Sequence, residues 1–109
     1  MLINLSNHPS VYWSERQMSM ARERWGQVID LSFPALSPTL TTAEVLVIAE
    51  EYKGRCVDML RNSADEVSAV HLMGEMVFCF RLVQLLKDAG VMVVASAAER
   101  DVSYTNDVK

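Results

Sequence analysis

Residues 67–95 read VSAVHLM, then Gly74-Glu75, then MVFCFRLVQLLKDA, Gly90 and VMVVA. The first run, Val67 to Met73, is short and mostly apolar, as a buried strand is. Gly74 lets the chain leave that strand. Met76 to Ala89 has the length and apolar density of a helix, and Gly90 supplies a residue free to take the left-handed conformation of a helix stop. Val91 to Ala95 is a second apolar run. A strand, a helix-long connection and another strand form a β-α-β unit, and that unit joins parallel strands.

The same alternation extends towards the N-terminus. Met1 to Leu5 reads as a strand closed by Ser6-Asn7-His8-Pro9. Ser14-Glu15-Arg16-Gln17 has the form of a capping box, in which a Ser and a Gln three residues on satisfy each other's backbone N–H groups. Met18, Ala21 and Trp25 follow at helical spacing, and Gly26 ends the helix. Gln27 to Leu31 reads as the second strand. Pro34 and Pro38 break the chain before a second capping box, Thr41-Thr42-Ala43-Glu44. Val45, Ala49, Tyr52, Cys56, Met59 and Leu60 then mark one face of a long helix, which Asn62 to Asp65 end. The order β-α-β-α-β-α-β over residues 1–109 predicts a single α/β domain. Its mainly parallel sheet has at least four strands and carries helices on both faces, with the first strand central. Asp101 to Lys109 is a polar tail with Val102 and Tyr104 alternating; it fits an extra strand, the start of a hairpin or a frayed end.

The helix over 76–89 is apolar nearly all round. Met76, Phe80, Val83 and Ala89 are expected to face the sheet. Phe78, Leu82 and Leu85 then point elsewhere, towards neighbouring helices or, preferred for so small a domain, a twofold subunit contact.

Composition narrows the function classes. The chain has 109 residues, half of them apolar, with ten Lys and Arg against fourteen Asp and Glu. A net charge of −4 speaks against coating long nucleic acid by bulk charge. Cys56 and Cys79 lack CxxC spacing and suit reduced thiols in the cytoplasm. Two Cys and two distant His give no metal-ligand set, and neither a metal nor another cofactor is expected. The opening MLINLSNHPS lacks the basic and long apolar regions of a signal peptide, and Val91 to Ala95 is too short to span a bilayer, so no membrane partner is expected.

In a parallel sheet, ligands bind at the carboxyl ends of the strands. Ser6, Asn7, His8, Gly74, Glu75, Ser96 and Arg100 all fall in loops at those ends. Hydroxyls, an amide, a guanidinium and the N–H groups of a helix start are donors suited to a phosphodiester. Each has a plainer role beside it. Ser6 and Asn7 are common turn residues, Gly74 serves tight strand-to-helix packing, Glu75 is favoured by the helix dipole, and His71, inside a strand, reads as structural. Walker, dinucleotide, esterase-elbow and metalloprotease motifs are absent from the sequence.

The segments INLSNHPSVYWS, DLSFPAL, VHLMGEMVFCFRLVQLLKDAG and VASAAER together resemble small CRISPR-associated Csx proteins of type III systems, similar to the ring nuclease group. The resemblance spans residues 1 to about 100, with SNHP and HLMGE its most specific parts. It implies a Rossmann-like three-layer homodimer that binds cyclic tetra-adenylate across its twofold axis. Ser6-Asn7-His8 and Gly74-Glu75 match the family's motif positions. Where the family carries hydroxyl residues between the late Ser and Arg, this chain has Ala97 and Ala98, which leaves fewer phosphate donors. Three functions follow. The first is a binding protein that sequesters the cyclic messenger. The second is a metal-independent ring nuclease in which a 2′-hydroxyl attacks its own phosphate, with His8 as acid or base and Arg100 stabilising charge. The third is a protein-interaction subunit without a small ligand.

Overall fold

Both capping boxes form. Ser14 Oγ accepts from the Gln17 N–H at 3.1 Å and Gln17 Oε1 from the Ser14 N–H at 2.9 Å. Thr41 and Glu44 do the same, and these caps start helices α1, Glu15–Trp25, and α2, Thr42–Arg61. The computed structural model describes residues 1–65 and 67–96. Its strands are β1, Leu2–Ser6, β2, Val28–Asp30, β3, Ala69–Met73, and β4, Val93–Val94. Each is shorter than, or shifted from, the apolar run that encodes it; of the flanking residues, Met1, Leu31 and Val91 still pack on the core, whereas Val67 and Met92 are exposed. A short 3-10 turn, Ser10–Tyr12, follows β1, and α3 spans Met76–Asp88.

The sheet order is β2-β1-β3-β4 and every pairing is parallel. β1 is therefore central, as expected. Leu2 pairs with Ala69 and Asn4 with His71, so the carboxyl ends of β1 and β3 lie side by side. Alternate residues of a strand face opposite ways. Ile3, Leu5, Val70 and Leu72 pack with residues of α2 and α3, whereas Leu2 and Ala69 pack with Trp25 and Ala21 of α1. The two clusters place helices on both faces. Among the described residues, no helix is long and apolar enough to cross a membrane.

The phase of α3 is a correction. Phe78, Leu82 and Leu86 are fully buried against the sheet and α2. Met76 and Phe80, expected to face the sheet, are 80% and 61% exposed. Val83 packs against the core, and Leu85, expected to point away, also lies on the core side. A nearly all-apolar helix fits two phases equally well by periodicity. The phase observed lets one stripe meet the sheet and α2 together. Phe78 completes the choice by taking the edges of Phe33 and Tyr52 at ring-centre distances of 5.2 and 5.6 Å.

Candidate functional site

The face carrying α1 is only partly covered. Beside α1, above the carboxyl ends of β1, β3 and β4, lies a cavity of about 700 Å³. Ser6, Asn7 and His8 reach it from the end of β1 and the loop beyond, His71 from β3, and Ser96 from beyond β4. Trp13, Arg24 and Trp25 close the α1 side, with the Arg24 guanidinium 5.0 Å from the Trp25 ring centre. Among the described residues, no Asp or Glu lines the cavity.

A polar network underlies this wall, and its hub is Asn4, only 1% exposed. Asn4 Nδ2 donates to Asp30 Oδ1 at 2.8 Å and to the His8 carbonyl at 3.1 Å. Asn4 Oδ1 accepts from Ser6 Oγ at 2.9 Å and lies 2.9 Å from His71 Nδ1. His71 Nε2 is 2.7 Å from Ser96 Oγ. The loop is clasped by the same groups. Asp30 accepts from the Ser10 N–H and Ser10 Oγ, and Trp13 Nε1 donates to the His8 carbonyl. The edge-to-face packing of Trp13 and His71, with ring centres 5.6 Å apart, fixes the imidazole plane.

These contacts sort the expected site residues. Ser6, Asn7, His8 and Ser96 come together on the cavity. Ser6 is itself buried and committed to the network, whereas Asn7 and His8 are exposed. Gly74 and Glu75 share the rim but are not among the cavity's lining residues. Glu75 caps α3, its Oε1 accepting from the Phe78 N–H at 2.7 Å, and it lines a separate groove with Pro38 and Thr42. Gly74 leaves room for the Phe33 ring, into which any Cβ there would clash. Arg100, Ala97, Ala98 and the tail 101–109 lie outside the described residues. Asn4, Asp30, Trp13 and Arg24 were not singled out from the sequence. The signal for two of the buried members was a polar residue inside an otherwise apolar strand, Asn4 in LINLS and His71 in AVHLM.

One family model matches the whole chain, residues 1–109, and its description is Uncharacterized protein MJ1673 family. The chain belongs to that family. No curated protein and no solved structure matches it.

In this MJ1673 family member the electrostatics of the network are consistent with its bonds. Burial raises the Asp30 carboxyl, but bonds from Asn4 and from the side chain and backbone of Ser10 outweigh it and hold Asp30 below 3.8. Burial, aided by repulsion from His8, pushes His71 below its ordinary 6.5. The sign of the resulting pH dependence follows. Below 6.5 the unfolded chain protonates His71 while the folded chain resists, so the folded state loses stability as pH falls towards the depressed folded value. The groups facing His71 are His8 from the β1 loop, Arg24 from α1 and, through Asn4, Asp30 from β2. Asp30 titrates well below this window. The melting temperature should decline from pH 7.5 to 5.5, and His71→Gln should flatten that decline. An equal slope in the variant would assign it to another group.

Proposed function

We propose that the protein binds a cyclic oligoadenylate, cyclic tetra-adenylate foremost, and damps type III CRISPR signalling by withholding the messenger in the cytoplasm. The observation that carries this reading is the composition of the cavity wall. Among the described residues the lining holds no acidic side chain and includes Arg24 and the imidazoles of His8 and His71. A polyanion is repelled by the chain's net charge of −4 and accepted locally here. Trp13 and Trp25 offer aromatic surface on which a purine can stack. The volume falls within the range of about 300–1,000 Å³ usual for small-molecule sites. The resemblance carried by SNHP and HLMGE supplies the identity of the polyanion.

The proposal includes a homodimer. A ring that has twofold symmetry can touch two copies of the same wall, so the subunit contact must include the cavity mouth. The exposed Met76 and Phe80 of α3 lie on the other face of the sheet. A contact through α3 would hold the two cavities apart, so it cannot also share one ring.

Calorimetry tests this directly. One ring per two chains is expected. Arg24→Ala removes a charge-assisted contact worth at least about 1.5 kcal/mol once desolvated, about tenfold in affinity. With two contacts per ring the loss should approach a hundredfold. Recovery of the intact ring after long incubation separates holding from cutting. No binding by the native chain, or an unchanged constant for Arg24→Ala, would remove the reading; one ring per chain would remove the shared ring.

A further inference from the structure

Ser96 ends a chain of hydrogen bonds whose direction is fixed. Asn4 Nδ2 is committed to two acceptors, the Asp30 carboxylate and the His8 carbonyl. The atom that Asn4 turns to His71 is therefore Oδ1, an acceptor, so His71 Nδ1 carries the hydrogen. A neutral imidazole then has its lone pair on Nε2, 2.7 Å from Ser96 Oγ, and the Ser96 hydroxyl donates to it. A hydroxyl hydrogen-bonded to a base, with the base oriented by a third group, is the arrangement that activates serine. An amide in the third position fixes tautomer and ring orientation, as in cysteine enzymes that use Cys, His and Asn. Burial keeps His71 unprotonated at neutral pH, the state a base requires. Ser96 is exposed and lines the cavity, so an electrophile can reach it. Ser96 lies beyond the last residue of β4.

We propose that Ser96 is a nucleophile activated by His71, with Asn4 and Asp30 as positioning residues, and that it acts on the acyl group of an ester seated in the cavity. Ser96 Oγ bonds to the carbonyl carbon while its proton passes to His71 Nε2. The bond from that carbon to the alcohol oxygen breaks, and the departing alcohol takes the proton from His71. Water then attacks the acyl-Ser96 carbon and gives a proton to His71. The carboxylic acid leaves, and Ser96 recovers its hydrogen. Nothing is oxidised or reduced. Leu2, Ala21, Trp25 and Val94 give the cavity an apolar floor suited to the acyl part. The proposal does not depend on the cavity's holding a cyclic oligoadenylate.

A biotinylated fluorophosphonate tests it on the full chain. Ser96 Oγ should displace fluoride from phosphorus, adding one phosphonyl group per chain, located by peptide mapping. Ser96→Ala, an exposed change that leaves the fold intact by circular dichroism, should abolish labelling. His71→Gln should slow it on the order of 10²–10⁴-fold, the usual worth of a lost acid–base group. The labelling rate should rise with pH through the titration of His71 and then level; His8 and Arg24 share its cavity wall and Asp30 reaches it through Asn4. Asp30→Ala should move that midpoint, which a merely structural role would not do. A folded native chain that stays unlabelled, or that labels at another serine, overturns the proposal. So does labelling that His71→Gln leaves unchanged.

Discussion

Leu82→Glu should leave no cooperatively folded protein, while Phe80→Glu should melt within a few degrees of the native chain. The two positions lie two residues apart on α3 and differ in what surrounds them. Leu82 is fully buried against the sheet and α2, whereas Phe80 is 61% exposed. Truncating a buried leucine already costs about 2–5 kcal/mol. A carboxylate placed there without a partner adds a desolvation penalty of several kcal/mol more. Together these match the whole stability of a small domain, about 5–15 kcal/mol. The change at Phe80 removes no packing of that kind, and surface substitutions usually shift stability by about 0.5 kcal/mol or less. Thermal melts followed by far-ultraviolet circular dichroism distinguish the two. A well-folded Leu82→Glu protein would mean that α3 is rotated from the phase described.

The second large effect is expected at Asn4. Leucine has the same branching but bulkier methyl groups, so Asn4→Leu opens no cavity; it removes the polar contacts and crowds the neighbours that made them. His71 Nδ1–H loses its acceptor while the ring stays buried. Ser6 and the His8 carbonyl keep one bond to each other, and Asp30 keeps Ser10. One orphaned buried donor costs about 1–3 kcal/mol and each further lost bond about 0.5–1.5 kcal/mol. With three further bonds lost, the cost is about 2.5–7.5 kcal/mol, read as a lowered urea midpoint. The loss should exceed that of Asn7→Ala, because Asn7 is exposed. Equal losses at the two positions would deny Asn4 its place as hub.

What the sequence made legible was local. A capping box is written within four residues, and both predicted boxes formed. The β-α-β order follows from apolar run lengths and glycine stops; a central β1 is expected because its loop is read as meeting a ligand, and the sheet order has it inside. The phase of α3 was not legible, since a helix apolar on nearly every side gives periodicity nothing to select. The rim loops could be named from topology, which brought Ser6, Asn7, His8 and Ser96 to one cavity. The partnership of Asn4 and His71 could not, because it spans 67 positions and depends on the parallel register that sets them side by side. Gly74 was correctly expected to serve close packing, but the neighbour is Phe33, from the loop after β2, rather than a helix.

Asp30 gives this arrangement a consequence for how the protein can change over time. One carboxylate oxygen accepts both from Asn4, which orients His71, and from the Ser10 backbone, which anchors the turn beside His8; its other oxygen accepts from the Ser10 hydroxyl. The turn that frames the cavity mouth and the amide that steers the imidazole thus share Asp30 among the groups that hold them. A mutation that tightens or loosens the mouth pulls on Asp30, and through it on the proton held at His71. If the proposed ligand and the proposed base are both right, grip and reactivity are coupled, so a descendant that evolved to hold its ligand longer would carry an altered base as a by-product.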